Sequence, residues 1–352
     1  MIWDDLHFSF KDVMHHNADI YCLLSGREAG KSTAAVKFLL DKHMKTKKSR
    51  AIWLLRQKSQ LNKAFYRTFL NDFEDYPFVL KHNAVYYKEN DKEIDLDEDI
   101  PVITFHAVST GNKDIKQTKY KDVEDVVYDE FLIDHTLPNE RYLQKEAEIL
   151  FKIWDTIQRR AGRKTKLWLL GNPYSMINPY FTWLRVEAKE VEKRLDKFYK
   201  PYGNRMLIYY FSVHPELLKA KENTTYGFFS KMNKDYYEHT FKSHTKYKPM
   251  FPVRPFKNYN TKRYMFKVKI EGTMLEFWNV GVALYIAENE YKKDKPIAID
   301  FDSFEGSATY HNPAHPLYDT IRQVKRMISS RVDVVLESSN IENAVKLFVK
   351  QV

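Results

Sequence analysis

Cysteine is almost absent from this sequence, and long hydrophobic runs are absent altogether. The single cysteine among 352 residues, Cys22, excludes an intrachain disulfide framework and a metal-thiolate cluster. No apolar run approaches the length of a membrane span, and the N-terminus lacks the basic region of a signal peptide. We therefore expect a soluble intracellular protein without a membrane partner.

The twelve histidines show no metal-ligand spacing, and no nucleophile triad is visible. Basic residues outnumber acidic ones by 57 to 47, which gives a net charge of +10 and favours a polyanionic partner. The richest basic stretch is Phe241–Lys269, which has nine lysines or arginines, interleaved aromatic residues and no acidic residue. Contact with nucleic-acid phosphates is favoured there over the alternative of a solvated basic face.

The first part of the chain alternates short apolar runs with helix-period segments, a rhythm typical of a parallel α/β sheet. Helices are predicted at about 33–45 and 142–160. The predicted strands are Ile20–Leu24, Ala51–Leu55, Val102–Phe105, Val123–Tyr128, Leu167–Leu170 and Met206–Phe211.

The character of the sequence changes after Phe211, where it becomes polar and aromatic without strong periodicity. From Tyr264 onward a strand-like pattern returns, followed by two helical segments. These changes predict three domains, at residues 1–211, 212–255 and 256–352, of which the second is a small linker domain.

A phosphate-binding motif follows the first predicted strand. It consists of Ser25, Gly26, Arg27, Glu28, Ala29, Gly30, Lys31, Ser32 and Thr33. In such a loop backbone N–H groups surround the nucleotide phosphates, the lysine contacts the terminal phosphates, and the next hydroxyl binds Mg²⁺. The sequence therefore predicts a site for ATP or GTP with Mg²⁺. Because Ser25 replaces the usual first glycine of the motif, the alternative is a chance Gly-Lys-Ser at the start of a helix. Two roles stay open for Arg27, namely a contact with the γ-phosphate and an ion pair with Glu28.

Two other predicted strands end in polar residues. Asp129 and Glu130 follow Val123–Tyr128, so Asp129 would hold Mg²⁺ and Glu130 would deprotonate the attacking water. Asn172 follows the strand at Leu167–Leu170 and suits contact with the γ-phosphate or the water. The carboxylate pair indicates a water-activating ATPase rather than a kinase.

A basic cluster closes the helix that is predicted to end near residue 160. It comprises Arg159, Arg160, Arg163 and Lys164. An arginine near a subunit boundary can stabilise the transition state at a neighbour's site. The alternative is that these residues only complement the helix C-terminus.

Together these motifs resemble the DNA-packaging ATPases of phi-29-type bacteriophages. The resemblance rests on Ser25-Gly-Arg-Glu-Ala-Gly-Lys-Ser, Val127-Tyr-Asp-Glu-Phe131, Pro138-Asn-Glu140, Asp155-Thr-Ile-Gln-Arg159 and Asn172-Pro-Tyr-Ser-Met-Ile-Asn-Pro-Tyr-Phe181. It implies an N-terminal additional-strand P-loop ATPase domain, a linker domain and a C-terminal α+β domain with an RNase H-like fold. It also implies that Lys31 and Ser32 bind phosphates and Mg²⁺, that Asp129 completes the metal site and that Glu130 is catalytic.

The same resemblance implies a homopentameric ring at the portal vertex of a procapsid, where the motor translocates double-stranded DNA inward. Arg159 would act in trans as an arginine finger, and Lys58 would also be offered to the neighbour's nucleotide. The portal protein is then a partner, and a packaging RNA is a further candidate partner. Such a motor works in the host cytoplasm, transiently at the procapsid, and is absent from the mature virion.

The C-terminal domain departs from the larger terminases, whose RNase H-like domain is a two-metal nuclease with clustered carboxylates. Its first strand, Met265–Ile270, offers lysines and no carboxylate. Asp300, Asp302 and Glu337 are candidate substitutes, although ordinary turn and surface roles are favoured for them. We therefore expect a vestigial domain that binds nucleic acid or the portal. The alternatives are a headful terminase with an active nuclease and a non-enzymatic scaffold with a degenerate phosphate loop.

Overall fold

The computed structural model describes residues 6–88, 93–96, 98–111, 122–133, 141–174, 176, 178–232, 237, 251–270, 273–288, 291–301, 315–330, 333–337 and 341–351. The chain forms two compact units. The first unit comprises Met1–Ser175 and Arg194–Thr245, and the second comprises Met176–Lys193 and Lys246–Val352. The predicted division into three domains, with a linker at 212–255, stays a prediction.

The first unit is built on a sheet to which the described residues contribute nine strands. These are β1 (Ile20–Leu24), β2 (Arg50–Leu55), β3 (Phe78–Lys81), β4 (Ala84–Tyr87), β5 (Ile103–Ala107), β6 (Val123–Asp129), β7 (Lys166–Gly171), β8 (Lys197–Tyr199) and β9 (Met206–Tyr210). Their spatial order is β3-β4-β5-β2-β6-β7-β1-β9-β8. In this spatial order the six central strands, β5, β2, β6, β7, β1 and β9, run parallel to one another. Strands β3, β4 and β8 lie toward the edges and pair antiparallel.

Strand β7 lies between β1 and β6, and this insertion confirms the predicted additional-strand arrangement. In register, Cys22 of β1 faces Leu169 of β7 and Ile208 of β9. All five residues of β1 are buried, as expected for a parallel strand covered on both faces. The six predicted strands are confirmed, with bounds that shift by two residues at most.

Helices cover this sheet and bury its apolar side chains. The helices of the first unit include α1 (Lys11–Met14), α2 (Lys31–Thr46), α3 (Lys63–Thr68) and α4 (Glu146–Ala161). The core contains a stack of Tyr21 on Trp168, with ring centroids 4.0 Å apart. Helix α4 begins four residues later than predicted, because Lys145 has a left-handed φ of 55° and Glu146 accepts the N–H of Leu143 at 2.6 Å.

The second unit contains helices and a sheet to which the described residues contribute five strands. Its elements are α5 (Pro179–Trp183), α6 (Ala188–Glu192), β10 (Arg263–Ile270), β11 (Thr273–Asn279), β12 (Leu284–Ala287), β13 (Ile299–Asp300), α9 (Tyr318–Ser330), β14 (Val334–Leu336) and α10 (Glu342–Gln351). The two helices numbered between them, α7 (Pro215–Glu222) and α8 (Thr225–Met232), belong to the first unit. Strands β10, β11 and β12 form an antiparallel meander, flanked by β13 and β14 in parallel pairing. Helices α9 and α10 pack on it through Ile321, Val324, Val345 and Phe348. This is the α+β organisation that the sequence predicted.

Among the helices in the described parts of both units, none is long and apolar enough to cross a membrane.

Candidate nucleotide site

The phosphate loop connects β1 to α2, and its backbone explains the unusual serine. Ser25 is buried and donates its N–H to the carbonyl of Gly171 in β7 at 3.3 Å. Left-handed backbone occurs in the loop at Glu28 and Gly30, with φ of 69° and 80°, whereas Ser25 lies outside that region. Because Ser25 meets no strain that only glycine could relieve, the irregular motif is compatible with a formed loop.

Gly30, in contrast, could not be another residue without strain. A Cβ at this position would lie 3.0 Å from the His7 ring, and the positive φ disfavours any L side chain. The segment that carries His7 is held against the loop, because Phe8 donates its N–H to the carbonyl of Ala29 at 3.0 Å. The N-terminal segment thus forms one wall of the loop.

Lys31 turns its ammonium group toward the loop and the adjacent strand end. Its Nζ donates to the carbonyls of Ser25 and Gly26 at 2.8 and 3.0 Å, and to Oδ1 of Asn172 at 3.0 Å. Burial lowers the pKa of Lys31 to about 7, although the charges of Asp129 and Glu130 oppose this shift. A bound phosphate would restore full protonation, because it places negative charge beside the ammonium.

Ser32 and Asp129 form the candidate metal site. The Ser32 hydroxyl, in the first turn of α2 beside the half-buried Thr33, donates to Oδ1 of Asp129 at 3.0 Å. Burial, and next the charge of Glu130, raises the pKa of Asp129 to about 7. A hydroxyl and a carboxylate are oxygen donors of the kind that Mg²⁺ prefers, so these residues fit the ion. In the described part of the chain no group of three or more His, Cys, Asp or Glu is placed to hold a metal.

Glu130 follows directly at the end of β6 and presents an exposed carboxylate. Its backbone is left-handed, with φ of 54°, and its N–H donates to Oδ1 of Asp129 at 3.0 Å. The next residue, Phe131, donates its N–H to the carbonyl of Leu170 in β7 at 3.1 Å. The site residues Lys31, Ser32, Asp129, Glu130 and Asn172 therefore lie at one edge of the sheet, as predicted from the strand ends.

A buried ion pair that the sequence did not reveal fixes the turn after Glu130. Arg56, at the end of β2, donates through Nη2 to the carbonyls of Glu130 and Phe131 at 3.0 and 2.8 Å. Its Nε donates to both carboxylate oxygens of the fully buried Glu146 at 3.0 Å. Tyr128 donates its hydroxyl to the same carboxylate at 2.8 Å. The only sequence signal for this network was a charged residue at the end of an apolar strand.

The charged residues inside the loop have different partners. The Arg27 guanidinium donates to the Tyr174 hydroxyl and lies 5.6 Å from that ring's centroid. Glu28 is 3.4 Å from Nζ of Lys221 in α7. The structure thus shows a tyrosine contact for Arg27, and both alternatives for this residue, a γ-phosphate contact and a pair with Glu28, stay predictions.

Of the two residues predicted to act in trans, Arg159 is not brought to the chain's own nucleotide site. Arg159 lies in the last turn of α4, and its guanidinium is paired with Asp155 at 3.0 Å. The 16 residues of α4 span about 24 Å, so Arg159 lies far from Glu130 at the other end. Lys58 begins a 3₁₀ turn after β2 and is exposed, and β6 and β7 separate β2 from β1. Both roles stay predictions.

The C-terminal candidates are only partly described. Of the basic stretch Phe241–Lys269, residues 241–250 lie outside the described residues, as does Asp302. Asp300 lies 3.6 Å from Nζ of Lys269. Glu337 accepts the N–H of Glu288 at 3.0 Å and the hydroxyl of Tyr291. Whether this unit cleaves nucleic acid stays a prediction.

The loop, the inserted strand and the carboxylate pair define the first unit as a P-loop nucleotide-binding domain of the additional-strand class. The chain belongs to the podovirus DNA encapsidation protein (Gp16) family, whose model matches residues 3–289.

Solved structures of packaging motors share the fold over the whole chain. The Phi-28 gp11 DNA packaging motor has a TM-score of 0.67 at 17% identity, covering 99% of this chain and 98% of that one. The bacteriophage Phi-29 viral genome packaging motor assembly has a TM-score of 0.65 at 18% identity, covering 99% and 100%. No curated protein matches the sequence significantly.

Proposed function

We propose that this protein is an ATP-hydrolysing ring motor that translocates double-stranded DNA into a procapsid at the portal vertex. The family supports the DNA-packaging role. The observation that carries the ATPase role is the cluster of Lys31, Ser32, Asp129 and Asn172 around the loop, with the exposed Glu130 carboxylate beside it.

In this proposal Lys31 binds the terminal phosphates, and its hydrogen bond to Asn172 lets the amide follow the state of the γ-phosphate. Ser32 and Asp129 would hold Mg²⁺, which neutralises phosphate charge when it is bound. A cation held there would lower the pKa of Asp129, which burial has raised, and would so favour its carboxylate form.

Glu130 orients the attacking water and accepts its proton. Its carboxylate is positioned by backbone rather than by side-chain contacts, since Arg56 holds its carbonyl and Asp129 accepts its N–H. This arrangement leaves the carboxylate itself available to the water.

Arg159 completes a neighbouring subunit's site in trans, and Lys58 contributes a second positive charge there. The distance between Arg159 and its own Glu130 supports this division, because Arg159 lies too far along α4 to reach the site of its own chain. We propose a homopentamer that works in the host cytoplasm and transiently at the portal, with DNA, the portal protein and a packaging RNA as partners.

The headful terminase with an active nuclease is the weaker alternative. The family match is to encapsidation proteins, and the full-length fold matches are to phi-29-type motors. We therefore propose a second unit without nuclease activity that contacts nucleic acid or the portal.

The direct test is DNA-stimulated ATP turnover by the Glu130→Gln protein. We expect a fall of about 10³-fold with unchanged ATP binding, because only the proton acceptor is lost. The matched control is Glu98→Gln, an exposed carboxylate in the same unit. Full turnover by the Glu130→Gln protein would contradict the proposed mechanism and leave a binding protein as the better description.

A further inference from the structure

A cavity of about 340 Å³ opens at the edge of the first unit's sheet that lies opposite the nucleotide site. Its wall is formed by Asn17, Ala18, Asp19, Lys164, Thr165, Lys166, Asn204 and Arg205, and we call it the edge cavity. It lies where β1 and β7 begin. The five residues of β1 separate it from the phosphate loop by about 17 Å, so the two sites are distinct.

The edge cavity contains a buried hydroxyl that lacks a partner. Thr165 is 2% exposed, and its Oγ1 has no hydrogen-bond partner among the residues that the structure describes. Its carbonyl oxygen is already used, since it accepts from Nε1 of Trp154 at 3.1 Å and from Nε2 of Gln158 at 3.3 Å. A buried hydroxyl without a partner is unfavourable, so a ligand that accepts its hydrogen bond would be stabilised there.

The charge around this hydroxyl is positive. Three cationic side chains line the edge cavity with one carboxylate, that of Asp19, which accepts from Nη1 of Arg205 at 2.8 Å. This pairing leaves Lys164 and Lys166 as the excess charge. Burial lowers the pKa of Lys166, and Lys42 adds to the shift, while Asp125, Asp19 and Glu124 oppose it. Burial therefore disfavours the charged ammonium, and an anion in the cavity would stabilise it.

The cavity also borders further exposed basic residues, of which Arg163 and Arg159 are each paired with a carboxylate. Lys164 follows Arg163 in the chain and is exposed. Arg159 and Arg160, at the end of α4, are exposed as well. A ligand that is a chain of phosphates could extend from the cavity along these residues, whereas a small carboxylate would use only part of them.

We propose that the edge cavity binds a phosphate group, with charge from Lys164 and Lys166 and a hydrogen bond from the Thr165 hydroxyl. The phosphate is either part of a nucleic-acid backbone or inorganic phosphate, and both present the same tetrahedral oxyanion to the site. This site goes beyond the proposed ATPase function, because it shares no residue with the nucleotide loop.

The first arm of the test uses inorganic phosphate and the thermal unfolding midpoint. It is carried out on full-length protein with Lys31→Ala, so that the nucleotide loop does not contribute. We expect phosphate to raise the midpoint relative to chloride at equal ionic strength. Thr165→Val should abolish roughly half or more of this rise, and in chloride it should unfold no earlier than its parent because an unpartnered hydroxyl is removed.

The second arm measures duplex DNA binding by fluorescence anisotropy at several salt concentrations. Loss of one phosphate contact in Lys164→Gln or Lys166→Gln should lower the slope of log Kd against log salt by about 0.9. The exposed Lys11→Gln is the control and should keep the slope. A response in the DNA arm identifies backbone phosphate as the ligand, and a response in the phosphate arm alone identifies the free ion.

The proposal is overturned when neither arm distinguishes the cavity variants from their parents. If Thr165→Val fails to fold, the exposed Lys164→Gln carries both arms. Because the first arm uses protein with Lys31→Ala, failure of the ATPase proposal would leave this result unchanged.

Discussion

Each end of helix α4 carries an ion pair between an arginine and a carboxylate, and the pair is buried at the start of the helix and exposed at its end. At its start the fully buried Glu146 binds Arg56 through both carboxylate oxygens. At its end Arg159 binds Asp155, with side chains 71% and 63% exposed. The buried pair fixes one geometry next to Glu130, whereas an exposed pair contributes little and is easily exchanged. We infer from this comparison that the buried end positions the chain's own site and that the exposed end is available to a neighbouring subunit, as proposed for Arg159.

The largest effect should come from breaking the buried end. Glu146→Ala leaves the Arg56 guanidinium buried without its counter-charge, so we expect a loss of about 3–5 kcal/mol in the free energy of unfolding. The measurement is urea unfolding followed by circular dichroism. The matched control is Glu148→Ala on the same helix, which breaks the exposed pair with Lys152 and should cost under about 0.5 kcal/mol. Equal losses for the two variants would contradict the comparison.

The exposed end should show the reverse pattern, with unchanged stability and lost activity. Arg159→Ala should unfold at the same denaturant concentration as the parent protein, yet lower ATP turnover in the assembled ring by about 10³-fold. Arg160→Ala, which removes the next exposed arginine, is the control.

Mixed rings separate a trans role from a cis role. A subunit with Arg159→Ala keeps Glu130, and a neighbour with Glu130→Gln keeps Arg159, so their shared site is complete. We expect partial recovery of turnover on mixing the two inactive proteins. Recovery that never exceeds the sum of the separate activities would show that Arg159 does not act across subunits.

A smaller effect should separate the two unusual positions of the phosphate loop. Gly30→Ala forces a left-handed φ on alanine and brings a Cβ against His7, so we expect a cost of about 1–2 kcal/mol in unfolding free energy and weaker ATP binding. Ser25→Gly should change stability by less than about 1 kcal/mol and leave ATP affinity intact, because Ser25 has no left-handed backbone. Calorimetric titration and urea unfolding measure both. Impaired ATP binding by Ser25→Gly would show that the serine has a specific role.

Some positions of the candidate site could be predicted from local sequence. Those of Lys31, Ser32 and Gly30 were predictable because a phosphate loop is a continuous segment with fixed spacing. The position of Asp129 was predictable because polar residues that end parallel strands meet at one sheet edge. The strand bounds were close to those observed because buried parallel strands are continuous apolar runs.

The Arg56–Glu146 ion pair could not be predicted from the sequence, since its partners are ninety residues apart. They meet only because β2 lies beside β6, and that neighbour relation is a property of topology rather than of local pattern. The late start of α4 has the same origin, because Glu146 is held by Arg56 and Tyr128 where helix periodicity alone predicted an earlier turn. Burial of a charge became interpretable only when its partner was in place.

The smallest effect concerns a buried group on the helix that Lys31 begins. His43 of α2 is buried, and its Nδ1 lies 2.8 Å from the carbonyl of Ser49. Burial lowers the pKa of His43 below its ordinary value of 6.5, the Ser49 carbonyl opposes this shift, and the charges of Lys47 and Arg50 add to it. As the pH falls below 6.5, the unfolded chain takes up a proton before the folded protein does, so stability must decline toward acid.

The slope from this one group is at most about 1.4 kcal/mol per pH unit. We expect His43→Asn, whose amide can still donate to the Ser49 carbonyl, to lose less stability than the parent between about pH 7.5 and about pH 5.5. Urea unfolding at the two pH values measures the difference. Because the other histidines titrate in both proteins, only the difference between the two losses reports on His43. Identical losses would mean that the pKa of His43 is the same in the folded and the unfolded protein, and burial would then not disfavour the charged imidazole at this position.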